Sequence, residues 1–274
     1  MKRKVSISKI LLAVILAVVT VVVLYPLVFT LAASFADPYE FSANPFQFKI
    51  TNPENYEYAW DELKDSVWTS TVIAAISVVG HVLITCITSY AIGVLKFKGS
   101  KIFSFFMLSG MFLTSEITSI PKLILFSEME LVGTVWALII PYIFAPGGMA
   151  VILMSNYMKR IPEEIKEAAL LDGAGFKDMF WHVVLPLSKP MLAFSAIQHF
   201  VGVWNDFLWP LIAVGVFSDF KTMPLAAMGL KSLDLSLYCI NFAGLVIMFV
   251  PTLLIYAFFS KYFLEGATVG AVKG

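Results

Sequence analysis

Residues 10–33 read ILLAVILAVVTVVVLYPLVFTLAA. The run holds no charged residue, and it exceeds the ~20 apolar residues a helix needs to cross a hydrocarbon core of about 30 Å. Lys2, Arg3 and Lys4 precede it, as basic residues precede a secretory signal. A signal's apolar region, however, spans only about 7–15 residues. The run is therefore read as a retained membrane helix.

Five further stretches have the length and apolarity of a span: Val67–Leu95, Ile102–Phe126, Val135–Met158, Met191–Phe217 and Tyr238–Phe263. The bulk composition agrees. Hydrophobic residues make up 59% of the chain and charged residues 14%, against roughly 45–50% and about 25% in soluble domains. The expected fold class is an all-α integral membrane protein with six transmembrane helices. A net charge of zero excludes bulk nucleic-acid binding. Cys86 and Cys239 both lie in apolar runs, which argues against a disulfide framework. His81, His182 and His199 lack metal-ligand spacing and are read as structural.

Orientation follows from the basic residues. With residues 1–9 in the cytoplasm, fourteen of the nineteen Lys and Arg fall on the cytoplasmic side. Both termini are then expected inside. The segment 34–66 becomes an external loop, rich in Asp and Glu and carrying Phe46, Phe48, Tyr56, Tyr58 and Trp60. Its aromatics suit either an interfacial belt or a surface for a partner.

Polar and helix-breaking residues interrupt three spans. Span three holds Thr114-Ser115-Glu116-Ile117-Thr118-Ser119-Ile120-Pro121-Lys122, span four holds Pro141 and Pro146-Gly147-Gly148, and span five holds Gln198, Trp204, Asn205 and Asp206. An acidic residue at membrane depth costs roughly 2.5–3.5 kcal/mol on the insertion scale. Such groups face protein or water rather than lipid. Glu116, Asn205 and Asp206 are accordingly candidates for a polar pathway. The alternatives are polar glue between helices, or a Glu116 near enough to the interface to stay wet. Pro121 removes a backbone donor and marks an irregular turn.

The loop 159–190 between spans four and five carries the most information. It begins Lys159-Arg160-Ile161-Pro162-Glu163-Glu164-Ile165-Lys166-Glu167-Ala168-Ala169-Leu170-Leu171-Asp172-Gly173-Ala174-Gly175-Phe176. Pro162 suits a first helical turn, and Glu163 and Glu164 suit the positive end of the dipole. Ile161, Ile165, Ala168 and Ala169 form one apolar stripe at helical spacing. Gly173 and Gly175 stop the helix. A second short helix is expected over about Phe176–His182, ended by Leu185-Pro186. This helix pair is too polar to span. Its face of small residues either enters a groove on another protein or lies on lipid.

At this point the residues resemble a known family. Glu167-Ala168-Ala169, Asp172-Gly173-Ala174, then Phe180, Val183 and Leu185-Pro186 resemble the EAA loop of ABC-importer permeases. Val183 stands where that family often has Ile. Trp204-Asn205-Asp206-Phe207-Leu208-Trp209-Pro210 is similar to span five of the carbohydrate-uptake branch, and Glu116-Ile117-Thr118 with Pro121 to its span three. The ending Gly266-Ala267-Thr268-Val269-Gly270 is similar to the tail of maltose-type permeases, which often read Gly-Leu-Thr-Ala-Gly. The likeness covers nearly the whole chain.

The resemblance implies a MetI-like permease fold, with 10–274 as one transmembrane domain. It implies a transport subunit rather than an enzyme, lodged in a bacterial or archaeal cytoplasmic membrane and importing a carbohydrate. Polyols, glycerol-phosphate-type solutes and amino acids are the alternative cargoes. No Walker-type Gly-x-x-x-x-Gly-Lys-Ser/Thr occurs, so ATP and Mg2+ are expected on a separate pair of ATPase subunits. A second, homologous permease and an external solute-binding protein are the other expected partners. Glu167, Ala168, Ala169, Asp172 and Gly173 are the expected ATPase-coupling residues, with Glu167 as polar anchor. The glycine-rich tail is expected to reach between the ATPase subunits. An ion-driven carrier would usually show inverted repeats, and a membrane enzyme a convergent set of catalytic groups. Neither pattern occurs.

Overall fold

The structure, a computed structural model, describes residues 7–46, 49–144, 147–216, 218–230 and 238–271, with side chains between 8 and 261. Among these residues all regular structure is helical, apart from one isolated bridge between Ala36 and Ile50. The helices are α1 (Ile7–Ala33), α2 (Pro38–Ala43), α3 (Glu54–Tyr90), α4 (Ser100–Gly110), α5 (Ser115–Glu128), α6 (Trp136–Phe144) and α7 (Gly148–Lys159). They continue with α8 (Glu163–Leu171), α9 (Phe176–Leu187), α10 (Lys189–Asn205), α11 (Leu208–Ala213), α12 (Met223–Gly229) and α13 (Tyr238–Ala271). Lys2, Arg3, Lys4, Phe48, Pro146 and the side chains of the glycine-rich tail lie outside the described residues.

Three helices are long and apolar enough to cross a membrane unaided: Ser8–Ala33, Glu54–Leu95 and Tyr238–Lys261. The count rises to six if each of three bent pairs is one span. Spans three, four and five, which polar and helix-breaking residues interrupt in the sequence, are broken. In span three α4 and α5 meet at 102°. The break falls at Met111–Thr114 rather than at Pro121, which sits inside α5. Thr114-Ser115-Glu116 is a helix-start sequence, with a hydroxyl residue at the N-cap and an acid in the first turn, so the chain restarts a helix there. In span five α10 holds 17 residues, about 26 Å of helix, and it stops at Asp206 before α11 begins. It also meets α9 at 76°.

The chain forms two compact units, 1–64 with 227–250 and 65–226 with 251–274. In the first, Ala33, Ala36, Phe41 and Cys239 are buried together beside Phe29 and Phe242. The expected external loop 34–66 is largely helical here, because local caps and buried polar groups order it. Asp37 accepts from the backbone N–H of Tyr39 and Glu40, at 2.9 and 3.1 Å, and so caps α2. The buried Asn55 amide donates to the carbonyls of Ser34 and Ala36, both at 2.9 Å. Glu54 and Glu57 open α3 at its positive end, so the helix begins well before its apolar stretch.

The second unit has two apolar clusters. One gathers Ile73, Phe126, Leu138, Val203 and Trp209 from α3, α5, α6, α10 and α11. The other gathers Tyr90, Met154, Met158, Met179 and Phe180 from α3, α7 and α9. Helices α4 and α7 approach so closely that a Cβ at Gly148 would collide with the Met107 carbonyl oxygen. Only glycine permits that crossing.

Candidate functional site

Two places in the second unit collect the residues singled out from the sequence: the loop 159–190 and a cleft lined by the broken spans.

In the loop, α8 ends on Gly173 with φ +85°. The N–H of Gly173 donates to the Leu170 carbonyl and that of Ala174 to the Ala169 carbonyl, both at 3.0 Å. This pair of bonds is a Schellman turn, and it needs a left-handed residue where Gly173 stands. Gly175, by contrast, is extended (φ −77°, ψ 177°), and its N–H donates to the Asp178 carboxylate at the start of α9. The expected stop at Leu185-Pro186 does not occur, and α9 runs on to Leu187. A π-turn over Met179–Val184 precedes Pro186. Its wider winding gives the proline ring room against the previous turn and absorbs the missing N–H.

The expected apolar stripe of α8 is divided between two faces. Ile161 is buried and Ala169 half-buried against the Met158, Met179 and Phe180 cluster. Ile165 and Ala168 point outward, together with Glu167 and Asp172. Leu171 is 89% exposed and Phe176 74% exposed. Tyr90 donates its hydroxyl to the Phe176 carbonyl at 3.0 Å, which ties the loop to the end of α3. The loop therefore turns a firmly seated inner face to its own chain and an apolar, acid-fringed face away from it.

Lys166, buried on α8, donates to Glu163 one turn earlier. Lys166 holds the Glu163 carboxyl below the usual glutamate range, and Lys96 at the α3–α4 turn adds to the effect. The sign is that of any depressed carboxylate. The pair steadies the loop above the ordinary glutamate pKa of about 4.3 and stops doing so as pH falls through the depressed value. Because Glu163 is exposed, the effect is small. Protection of the α8 amides, taken relative to the intrinsic exchange rate at each pH, is expected to fall slightly below about pH 4. That step should vanish in Glu163→Gln; an unchanged step would assign it to another group.

The cleft has a volume of about 960 Å³. Glu116 and Asp206 both line it; Asn205 does not, and its amide donates to the Val201 carbonyl at 2.9 Å. Asp206 occupies the α10–α11 break. One of its oxygens accepts from the Tyr142 hydroxyl at 2.8 Å and the other from the Trp209 backbone N–H at 3.3 Å. The Trp209 indole N–H donates to the Ala137 carbonyl at 2.9 Å, so α6 and α11 are pinned twice. Lys122 holds its ammonium 3.7 Å from the centre of the Trp209 ring.

Sequence reasoning missed Tyr142 and Lys122 as site residues, since neither stands beside a partner in the chain. It also set the histidines apart. His81 and His199 in fact stack at 3.7 Å between ring centres, 6° from parallel. Among the described residues no group of three or more His, Cys, Asp or Glu is placed to hold a metal ion. Both cysteines are free and buried.

Residues 89–266 match the family described as binding-protein-dependent transport system inner membrane components. The chain is 34% identical to an arabinooligosaccharides transport system permease protein, AraQ, of Halalkalibacterium halodurans, with both chains covered in full. It is 28% identical to the multiple sugar-binding transport system permease protein MsmG of Streptococcus mutans, again over the whole of both. It is 26% identical to the trehalose/maltose transport system permease protein MalG of Thermococcus litoralis, over 99% of each. A chain of a bacterial ABC transporter that imports the acidic polysaccharide alginate superposes with a TM-score of 0.75 at 22% identity, covering 96% of this chain and 100% of that one. That likeness bears on the fold, which the two chains share.

Proposed function

Because the chain belongs to the family of binding-protein-dependent transport system inner membrane components, we propose that it forms half of the membrane path of an ATP-driven carbohydrate importer. Six spans are α1, α3, α4 with α5, α6 with α7, α10 with α11, and α13, with both termini in the cytoplasm. A second, homologous permease supplies the other half. ATP and Mg2+ bind a separate pair of ATPase subunits, and an external solute-binding protein delivers the cargo. The relatives whose names record arabinooligosaccharides, multiple sugars and trehalose or maltose support carbohydrate as the solute class.

The observation that carries this reading is the outward face of α8 and α9. An amphipathic helix resting on lipid would bury its apolar side chains in the interface. Here the outward apolar groups, Ile165, Leu170, Leu171, Phe176 and Trp181, stand among Glu164, Glu167 and Asp172 with Lys177, and the excess of acids opposes an anionic lipid surface. A protein groove accommodates both. The ATPase takes hold of Ala168, Leu171 and the Gly173 turn, Glu167 gives a polar anchor, and closure of the ATPase pair rocks the helices around the cleft.

Co-expression tests it. The chain should bring down an ATPase, and the assembly in proteoliposomes should hydrolyse ATP and import one of arabinotriose, maltose or trehalose. Import of none of the three would end the carbohydrate reading, and absence of an associated ATPase would end the family role. A graded series at Gly173 tests the loop. A Cβ there meets nothing within 4 Å, so any cost in the free chain comes from φ. Left-handed backbone costs an L-residue about 1–2 kcal/mol, least for Asn and most for β-branched residues. Import should fall in the order Gly, Asn, Ala, Val, with Gly173→Val down about tenfold or more. Equal import by Asn and Val variants would show that the turn does not matter.

A further inference from the structure

We propose that Lys122 and Gln198 are the side chains with which the cleft holds a neutral polyhydroxyl solute in passage, and that Asp206 and Glu116 are not solute contacts. The inference rests on reading the cleft as the solute path.

It comes from asking which polar groups lining the cleft are both accessible and uncommitted; His199 lines it too, but its unpaired Nε2 is buried and its ring is stacked on His81. Both Asp206 oxygens accept hydrogen bonds from this chain. Glu116 lies in the first turn of α5, where the Thr114 hydroxyl and its own backbone N–H favour its carboxylate. The hydroxyls of Thr118 and Ser119 donate to carbonyls of the same turn. A group already paired in this way gains little by exchanging its partner for a sugar hydroxyl.

Lys122 differs. Among the described residues its ammonium has no ion-pair partner within 4 Å, although the Asp206 carboxylate, which lines the same cleft, attracts it from further off. It is held instead by the face of Trp209, an attraction that uses none of its three N–H donors. Trp209 is itself fixed by its bond to Ala137. The donors are thus positioned in advance, which lowers the ordering cost of binding. Gln198, on α10 and exposed to the same cleft, adds two donors and an acceptor. Vicinal hydroxyls need such a mixture of donors and acceptors. Two acidic residues stand against one Lys in the lining, a balance that disfavours an acidic solute.

The test uses the full assembly in proteoliposomes, with whichever of arabinotriose, maltose or trehalose it imports. The readout is solute imported per ATP hydrolysed, with assembly checked by co-purification. Hydrogen bonds to charged groups predict a fall of about tenfold or more in Lys122→Met. Gln198→Ala should fall in the same direction, and Lys122→Arg, which keeps a cation and its donors, should stay within about threefold. Gly202→Trp is the control for the path, because a Cβ at Gly202 meets nothing within 4 Å and the ring enters the cleft. If Gly202→Trp stops import but Lys122→Met and Gln198→Ala keep the wild-type ratio, the inference is overturned and the path stands. Equal losses in Lys122→Arg and Lys122→Met would likewise overturn it. If Gly202→Trp imports normally, the path reading falls and takes the inference with it. Should Lys122→Met fail to assemble, the exposed Gln198 position decides alone.

Discussion

Ala168→Arg yields a chain that inserts into the membrane and folds but no longer brings down its ATPase. Ala168 faces outward on α8 and is exposed. A substitution at such a surface position changes the stability of the free chain by only about 0.5 kcal/mol either way. In the docked complex the same side chain would force a long cation into a desolvated groove. Losses at the centre of an interface reach roughly 2–4 kcal/mol, which is about 30- to 1,000-fold in affinity. Ala169→Arg should behave differently, although the residue is next in sequence. Ala169 packs against its own chain beside Met158 and Phe180, so a charge there is forced into an apolar cluster or levers α8 off it. The expected pair of results is a normal melting temperature with no ATPase for Ala168→Arg, and a lowered melting temperature with no ATPase for Ala169→Arg. A lowered melting temperature for both would mean that the two alanines share the inner face. Normal ATPase recovery with Ala168→Arg would place the docking surface elsewhere.

The difference between these neighbours shows what the sequence could and could not convey. Spacing put Ile161, Ile165, Ala168 and Ala169 on one stripe, since i, i+4, i+7 and i+8 fall within one wide face. Which edge of that face turns inward depends on where Tyr90, Met158 and Phe180 stand, and those lie on other helices. The unbroken spans were legible because hydropathy is a local property: residues 10–33 and 238–261 needed only length and apolarity. The breaks were less so. Pro121 drew attention within span three, yet it lies in the interior of α5, and the turn lies at Met111–Thr114. Thr114-Ser115-Glu116 was the signal that could have placed it. The cleft was half legible. An acid inside a span must face something polar, which found Glu116 and Asp206, but the residue that engages Asp206 stands 64 positions away in the chain. The same is true of Lys122 with Trp209 and of His81 with His199, whose partners only the packing of separate helices brings together.

Trp209→Ala should give the largest loss of stability of any single change in the cleft. The side chain is 3% exposed, in the cluster with Phe126, Leu138 and Val203. Truncating a buried aromatic costs about 3–5 kcal/mol. The Ala137 carbonyl is also left without its indole donor, and Lys122 loses the ring beneath it. These losses share partners and so do not add. Trp209→Phe keeps most of the volume but not the indole N–H, and should cost on the order of 1–3 kcal/mol. Asp206→Ala removes the acceptor for the Tyr142 hydroxyl and the α11 cap together. It should cost about 1.5–3 kcal/mol, the range for a hydrogen bond to a charged group. Thermal unfolding of the detergent-solubilised assembly should therefore rank Trp209→Ala below Asp206→Ala and Trp209→Phe. A cycle of Tyr142→Phe with Asp206→Asn should show coupling of at least about 0.5 kcal/mol. The ranking also decides what Asp206 is for. If it pins α6 to the α10–α11 break, stability and import fall together in Asp206→Ala. An Asp206→Ala assembly that melts like the wild type yet imports nothing would make the carboxylate a solute contact, and its two hydrogen bonds to this chain would then have to open in each transport cycle.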